Sequence, residues 1–401
     1  MKIIQNKINS LELLSIHFRN ELKTIFKDKG ALLILIGAML IYPVIYSIGY
    51  YNETLTDIPV GVVDLDHSVA SRKYTSMIDA SSEIVVSCKP NNLKEAEALF
   101  LNNKINGVVL IPKGFQKEVL SGKQANVAVY ADASYFLKYR NEYMAVSYAN
   151  AYFSGGIGVK RYMADGKSFE QASTSVNPLD IQTHVLYNPS SAYGSFIMPG
   201  LILIIIQQTL LIGIGLLGGS FSESKESPFV LPLKNRRKEI LPYLMGKTGA
   251  YLLISAVNVA FAVVLVHHWF EYPDKASMMD VIMLLFPYLL STIFLGIGLS
   301  TLFRHRESAI VFMVFLSPIA LFFSGLSWPI SAMPEWLVFL SKLMPSTNVV
   351  PAYLNLRTMG VELLDVKLAV LSLYGQAGIY AALTIAYFFI KVYRNKLKQK
   401  V

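Results

Sequence analysis

Six long apolar runs constrain this chain more than any other feature. Five of them reach the roughly 20 uncharged residues that a helix needs to cross a bilayer, and the sixth nearly does. In chain order the predicted spans lie between Lys29 and Glu53, at Phe196 to Leu217, from Thr248 to His267, at Val281 to Phe303, from Ser308 to about Pro329, and at Leu368 to Ile390. A span in lipid must satisfy its backbone hydrogen bonds internally, so each run predicts a helix. Only 16% of the residues are charged, against about 25% in soluble domains, which excludes an ordinary soluble protein.

Lysine and arginine are distributed unevenly among the short connections between the spans. One set of connections holds 19 of them: residues 1 to 29, residues 218 to 247, Arg304 with Arg306, and the segment after Ile390. The opposite set holds four: Lys275, Lys342, Arg357 and Lys367. Basic connections stay on the cytoplasmic side, so both termini are predicted to be cytoplasmic. The same bias accounts for the net charge of +9, and no nucleic-acid partner is predicted.

Residues 11 to 26 have the pattern of an amphipathic helix. Apolar residues at three- and four-residue spacing form its predicted face: Leu11, Leu14, Phe18, Leu22, Ile25 and Phe26. Because the first span follows directly, residues 1 to 29 are predicted to be a cytoplasmic helix lying in the membrane surface. A soluble helix packed on another domain is the alternative.

Residues 52 to 192 form the one sizeable predicted domain outside the membrane. Strand patterns that begin at Ile58, Ile84, Gly107 and Val127 alternate with helical patterns, which predicts a small α/β layer. A helical segment from Tyr135 to about Ala164 is predicted as a stalk that returns the chain to the membrane. A break at Gly155-Gly156 is the alternative to a continuous helix. With Cys88 as the single cysteine, no disulfide can form within the chain.

No residue set predicts catalysis, a bound metal or a bound cofactor. The triplet Gly246-Lys247-Thr248 resembles the end of a phosphate-binding loop, but Leu241 stands where that loop requires a glycine. The triplet also begins a predicted span, so Lys247 is interpreted as a lysine at the membrane edge. Asp64 and Asp66, which follow the first strand of the α/β domain, are interpreted as capping residues rather than metal ligands.

The predicted spans contain polar residues but essentially no ionisable ones. Gln207, Gln208, Asn258 and Gln376 are each able to hydrogen-bond between helices, which is their predicted role. Ionisable residues in the membrane would mark a proton or ion path. Their scarcity disfavours an ion-coupled transporter and favours an energy source outside the spans.

The stretch after the fifth span carries the most specific sequence pattern. Residues 323 to 337 read FSGLSWPISAMPEWL, and Leu340 to Thr347, Leu356-Arg357 and Gly360 follow. Tyr187 to Ser190 and Met198 to Gly200, at the second span, belong to the same pattern. Together these residues resemble the ABC-2 type permeases, and the resemblance covers nearly the whole chain. It is closest to the subgroup with a large domain between spans one and two, called drug or YhgE/YbhR-like exporters.

The resemblance implies a fold of the ABC-2, type V exporter-like class: six transmembrane helices, with the first at residues 30 to 51 and the rest within residues 193 to 401, plus an extracytoplasmic α/β domain. It also implies an outer re-entrant hairpin at residues 325 to 347. The residues suited to that hairpin are a glycine for close packing, two prolines that stop helices and two interfacial tryptophans. They are Gly325, Pro329, Pro334, Trp328 and Trp336.

In this family the cytoplasmic loop after span two docks on the ATPase, here residues 218 to 247. Carried over by position, the dock lies at about Glu223 to Pro242. Its charged residues are Glu223, Glu226, Lys234, Arg236, Arg237 and Glu239. The family's usual Arg-Glu and Glu-x-Gly-Thr pattern is replaced here by Ser222 to Pro228, which leaves the position of the docking helix open. A loop that serves only as an orientation signal is the alternative.

The resemblance implies a function that needs partners. ATP and magnesium would bind a separate ATPase subunit, and none would bind this chain. The other implied partners are a second permease, identical or related, membrane lipids, and a periplasmic membrane-fusion adaptor where an outer membrane exists. The predicted function is a permease in the bacterial cytoplasmic membrane that moves an amphipathic, drug-like or lipid-like substrate outwards. The alternatives are a non-transporting receptor or scaffold whose outer domain binds a partner, and, third, a membrane-embedded enzyme.

Overall fold

The computed structural model describes residues 9–51, 54–179, 181–189, 192–224, 228–232 and 235–398. The chain divides into two compact units. We name residues Thr54–Val185 the sheet domain and the two remaining segments, Met1–Glu53 and Leu186–Val401, the membrane unit.

Six helices among the described residues are long and apolar enough to cross a membrane. They are span 1 Lys29–Gly49, span 2 Tyr193–Ser224, span 3 Arg236–Trp269, span 4 Met278–Ser300, span 5 Arg306–Phe323 and span 6 Lys367–Arg394. The prediction of about six membrane helices is therefore confirmed. Span 2 is the central helix, because it contacts spans 1, 4 and 5 and most of its apolar window is buried. Spans 1 and 3 each contain one π-helical turn, at Leu33–Gly37 and Ala260–Leu265.

Span 3 begins earlier than the sequence predicts. Its helix starts at Arg236, twelve residues before the predicted start at Thr248. The charged residues in this first part do not interrupt the helix, because Glu239 and Lys247 are buried against protein groups. Hydropathy detects only the part of a helix that faces lipid, so a segment whose charges are paired within the protein is missed.

The N-terminal helix α1, Ser10–Lys27, packs along span 3. A capping box formed by Asn9 and Glu12 starts the helix. The buried residues of α1 are Leu13, His17, Glu21 and Ile25, and this face differs from the predicted one. Of the predicted apolar face, Leu11 and Phe26 stay exposed. The buried face of α1 includes the two ionisable residues His17 and Glu21 because span 3 supplies partners for both.

The sheet domain is a four-stranded sheet with helices on both faces. Its strands are β1 Ile58–Asp64, β2 Ile84–Cys88, β3 Gly107–Ile111 and β4 Ala128–Ala131. The strand order is β2-β1-β3-β4, with β1 parallel to both of its neighbours and β4 antiparallel to β3. The helices are α2 Val69–Asp79, α3 Leu93–Leu101, α4 Phe115–Ser121, α5 Phe136–Ala164 and α6 Phe169–Val176.

The sheet separates two apolar clusters. Val60 and Val62 of β1 pack with residues of α2, α4 and α5, whereas Val63 packs with Ala96 of α3 on the opposite face. This alternation follows the two-residue period of a strand. Helix α5 is continuous through Gly155, so the alternative of a break at the glycine pair is wrong.

Two aspartates after β1 serve turns and helix starts. Asp64 accepts hydrogen bonds from the His67 amide, at 3.0 Å, and from the Ser71 hydroxyl, at 2.7 Å. Asp66 accepts from the amides of Gly114 and Gln116 at the start of α4, at 2.8 and 3.0 Å. These bonds fit the interpretation of both residues as capping groups.

One carboxyl group is buried beneath the sheet without a hydrogen-bond partner among the described residues. Glu142 of α5 is 2% exposed, and its Oε2 lies 2.4 Å from where a Cβ on Gly107 would stand. Burial, together with the charge of Asp132, raises the pKa of Glu142 to about 7, against the opposing effect of Lys138.

Two short helices follow span 5 in the membrane unit, α7 Glu335–Ser341 and α8 Pro345–Leu354. A 3₁₀ turn at Ile330–Ala332 precedes them, and a π-helical turn at Asn355–Met359 follows. Span 6 then begins at Lys367.

Candidate functional site

A cluster of buried ionisable side chains joins α1 to the first part of span 3. The Lys247 ammonium group lies 2.6 Å from the Glu21 carboxylate, and the Tyr251 hydroxyl donates to the same carboxylate oxygen at 2.6 Å. Lys247 is 4% exposed and Glu21 6%. Burying two charges is costly unless they are paired and hydrogen-bonded. Here the pair and the tyrosine supply those bonds.

The same interface holds a second carboxylate. Glu239 is fully buried and accepts a hydrogen bond from Nε2 of His17 at 2.9 Å. It also accepts from the backbone amides of Val230 and Leu231, at 2.5 and 2.8 Å. The Glu239 carboxylate therefore holds both α1 and the segment before span 3. We call His17, Glu21, Glu239, Lys247 and Tyr251 the amino-end cluster.

Gly246 allows α1 and span 3 to approach closely. A Cβ at this position would stand 2.7 Å from the Leu14 carbonyl oxygen and 2.9 Å from the His17 Cβ. A side chain there would push the helices apart. The triplet Gly246-Lys247-Thr248 thus has a packing and pairing role within a helix, while the position of Lys247 at the membrane edge stays a prediction. The lysine is paired inside the protein.

A second ion pair joins three spans at the same end of the bundle. Arg306, at the start of span 5, donates to both oxygens of Asp28, at 2.6 and 2.9 Å. Asp28 also caps span 1 through the Ala31 amide. Burial alone would raise the pKa of Asp28, but the Arg306 and Ala31 hydrogen bonds lower it below its usual value. Span 2 joins this pair because its Glu223 accepts a hydrogen bond from the Arg306 amide.

The predicted docking residues fall into four groups. Glu223 lies at the end of span 2 and accepts from the Arg306 amide. Arg236 and Arg237 lie at the start of span 3, where Arg237 is exposed. Glu239 is buried, so the prediction that it contacts a partner is revised. It holds segments of the chain together instead. Glu226 and Lys234 lie outside the described residues. The described part of the loop, residues 228–232, is not helical.

The other end of span 3 is held by an arginine from the turn after α8. Arg357 is 1% exposed and donates to both oxygens of Asp274, to the Val263 carbonyl at 2.7 Å and to the Tyr353 hydroxyl at 2.8 Å. Burial alone would raise the pKa of Asp274, but the hydrogen bonds and charge of Arg357 lower it. We call Val263, Asp274, Tyr353 and Arg357 the carboxyl-end cluster. Arg357 belongs to the sequence pattern described above, but the sequence predicts no partner for it, because Asp274 is 83 residues away.

The predicted hairpin residues lie between span 5 and α8. Gly325 adopts a left-handed conformation with φ of 85°, which turns the chain after span 5. Pro329 precedes the 3₁₀ turn and Pro334 precedes α7. Trp328 and Trp336 are exposed.

Helix α8 returns to the middle of span 2. The Gln207 side chain accepts from the Ser346 amide at 2.9 Å and donates to the Ser346 hydroxyl at 3.2 Å. Gln207 lies near the midpoint of the 32-residue span 2. A segment that meets a span at half its length is what a re-entrant hairpin requires.

The remaining polar residues of the spans differ in their partners. Asn258 of span 3 donates to the Leu35 carbonyl at 2.7 Å, within the π-helical turn of span 1, and Gln376 donates to the Lys342 carbonyl at 2.6 Å. Gln208 is buried, and its amide has no hydrogen-bond partner in the described part of the chain. Asn258 and Gln376 therefore bond between segments as predicted, while the role of Gln208 stays a prediction.

Comparison with known proteins gives relatives over most of the chain. A family model described as ABC-2 family transporter protein matches residues 29–386. The chain is similar to the probable multidrug ABC transporter permease YbhS of Escherichia coli, in strains K12 and O157:H7, at 25% identity over 376 residues, which cover 91% of this chain and 93% of the relative. It is also similar to ABC transporter G family member 20 of Dictyostelium discoideum, at 23% identity over 48% of this chain and 26% of that protein.

No solved structure gives a significant match. The family model nevertheless begins with span 1 and ends within span 6, so it covers all six membrane helices. The chain belongs to the ABC-2 family of transporter proteins and is a membrane-embedded transporter permease.

Proposed function

We propose that this chain is the permease subunit of an exporter in the bacterial cytoplasmic membrane, driven by a separate ATPase. Permeases of this family act with an ATPase partner and in dimeric arrangements. The excess of basic residues at the span 1 start, the span 2–3 loop and the C-terminal segment supports a cytoplasmic position for that end of the bundle. The sheet domain, between spans 1 and 2, then lies outside.

The observation that carries the proposal is the amino-end cluster. Glu239 holds the two amides of Val230 and Leu231, and the Glu21–Lys247 pair holds α1 on span 3. A push on the loop before span 3 is therefore transmitted to α1 and span 3 as one body. The exposed Arg237 is a natural contact for the ATPase on that loop.

The mechanism that we propose uses the two ends of span 3 differently. ATPase closure moves the loop, α1 and span 3 together, with the amino-end cluster intact. At the other end, that movement pulls span 3 away from Arg357 and releases the hairpin that is held on span 2 by Gln207. Two alternative packings of the spans, selected by the ATPase, would give inward- and outward-facing states.

We propose an amphipathic, drug-like or lipid-like substrate. The word multidrug in the names of the E. coli relatives supports this class. The polar groups at the middle of the bundle, Gln207 and Ser346, are neutral, which suits a substrate with a large apolar part. A second copy of this chain or a related permease would complete the path. A periplasmic adaptor would join where an outer membrane exists.

The proposal is tested by reconstituting the chain with its cognate ATPase in lipid nanodiscs. The permease should raise the ATPase rate above that of the ATPase alone, and the Lys247→Met variant should lose this stimulation. Lys23→Met is the matched control, because Lys23 is an exposed lysine on α1. A complex with no more ATPase activity than the free ATPase would overturn the proposal and favour a receptor or scaffold.

A further inference from the structure

An open groove lies on the face of the sheet domain formed by α2, α4 and α5. Its volume is about 470 Å³, within the range of small-molecule sites. All of its lining residues belong to the sheet domain, so the groove is complete without any other part of the chain. The proposed transport mechanism uses none of them.

The floor of the groove is apolar. Phe153 and Ile157 of α5 lie opposite Val119 and Leu120 of α4 and Met77 of α2. Leu120 is 75% exposed, and Val69, which also lines the groove, is 69% exposed. Apolar side chains of this size gain free energy when a ligand removes them from water.

Gly156 keeps the floor open. It lies in the second half of α5 and lines the groove, and a Cβ there would meet no atom within 4 Å. Gly155, its neighbour in the helix, has the same freedom but does not line the groove. A large side chain would therefore fill the groove at position 156 and leave it open at position 155, so the two substitutions form a matched pair.

Three cationic side chains line the groove. They are Lys73 of α2 and the adjacent Lys160 and Arg161 of α5. None of the three forms an ion pair within the described residues, and no acidic side chain lines the groove. Arg161 donates to the Val119 carbonyl, which holds its guanidinium beside the floor. Unpaired cations beside an apolar floor are complementary to a ligand with an anionic head and an apolar body.

We propose that this groove binds a single-chain anionic amphiphile, with its carboxylate or phosphate head at Lys73, Lys160 and Arg161 and its alkyl chain over Gly156. The inference rests on the proposed function only for the source of the ligand, which would be the exported substrate. Binding itself requires neither the ATPase nor transport.

The test uses the full chain in phosphatidylcholine nanodiscs and a photoreactive dodecanoate with its reactive group at the end of the alkyl chain. After illumination, peptide mass spectrometry should place the label on the peptides that carry Phe153, Ile157 and Leu120. Unlabelled dodecanoate and dodecyl phosphate should both compete, and the uncharged dodecanol should compete at least about ten-fold less well because it lacks the charge.

Two pairs of variants make the result specific. Gly156→Trp should abolish labelling of the groove, whereas Gly155→Trp should leave it unchanged. The Lys73→Gln/Lys160→Gln double variant should weaken dodecanoate binding about ten-fold, since each exposed ion pair contributes a modest amount. Lys117→Gln, which replaces an exposed lysine of α4 outside the groove lining, should not weaken dodecanoate binding.

Labelling confined to the spans, or equal labelling of the Gly156→Trp and wild-type chains, would overturn the inference. Either result would leave the proposed export function standing. Specific labelling of the groove in a chain that fails to stimulate its ATPase would have the opposite meaning: the site would stand and the export proposal would fail.

Discussion

The two ends of span 3 are both held by buried ions, but they are held differently. At the amino end, Lys247, Glu21 and Glu239 are all nearly inaccessible to solvent. At the carboxyl end, Arg357 is buried, but the Asp274 side chain is 40% exposed. Water can replace the partner of an exposed carboxylate far more cheaply than that of a buried one. This difference supports our proposal that the amino end acts as a permanent joint and the carboxyl end as a contact that can open.

The largest effect is expected at the permanent joint. Lys247→Met removes the cation and leaves the Glu21 carboxylate buried without it, so the free energy of unfolding should fall by about 3–5 kcal/mol. Thermal unfolding of the purified chain in nanodiscs measures this. The Glu21→Leu/Lys247→Met double variant removes both charges and should recover most of the loss.

The Lys23→Met control should unfold like the wild type, because Lys23 is exposed. A Lys247→Met chain as stable as this control would show that the buried pair does not hold α1 on span 3. The amino end would then be no firmer than the carboxyl end.

The next effect concerns the close approach of α1 and span 3. Gly246→Ala places a methyl group 2.7 Å from the Leu14 carbonyl oxygen and should cost about 1–3 kcal/mol, because the neighbour is backbone that cannot move alone. Gly249→Ala is the control, since its Cβ would lie 3.3 Å from the Phe18 ring edge. Equal unfolding temperatures for the two variants would contradict a tight joint.

A smaller effect is expected at the carboxyl end. Asp274→Asn removes the counter-charge of the buried Arg357, but it keeps an acceptor oxygen in the same place and leaves Arg357 its bonds to Val263 and Tyr353. The loss of stability should therefore be about 1–2 kcal/mol, less than for Lys247→Met. ATPase stimulation should persist in this variant, whereas Lys247→Met should lose it. Stability and ATPase stimulation, measured in both Asp274→Asn and Lys247→Met, therefore distinguish a permanent joint from a contact that can open.

An effect of a different kind, a pH dependence, lies outside both ends, in the sheet domain. The pKa of Glu142 is raised to about 7, so its protonated form is favoured in the fold. Its contribution to stability is therefore largest at low pH and is lost as the pH rises through about 7. Hydrogen exchange of β3 and α5 amides in the full chain, corrected for intrinsic rates, should show this loss between about pH 5 and about pH 8. Glu142→Gln should flatten the profile, and an unchanged profile in that variant would assign the pH dependence to another group.

The sequence allowed prediction of elements whose signals are local. The six apolar runs, and the strand and helix patterns of the sheet domain from Ile58 onwards, depend on neighbouring residues alone. The partners of Lys247 and Arg357 could not be predicted in this way, because Glu21 and Asp274 are 226 and 83 residues away from them. No spacing rule connects such positions.

The interface of α1 was also beyond local reasoning. An apolar face predicts burial, yet α1 buries His17 and Glu21 because span 3 offers partners for both. Gly246 carried one clue. A glycine inside a helix costs stability, and its physical reason here is the close approach of the Leu14 backbone.

Two backbone amides report directly on whether the two ends of span 3 behave differently. The Leu231 amide donates to Glu239 at the amino end, and the Lys275 amide donates to the Arg357 carbonyl at the carboxyl end, both at 2.8 Å. Hydrogen exchange of the reconstituted complex, with and without ATP turnover, follows both bonds in one experiment. We expect ATP turnover to leave the Leu231 amide protected and to increase exchange of the Lys275 amide. Loss of protection at Leu231, with Lys275 unchanged, would contradict it.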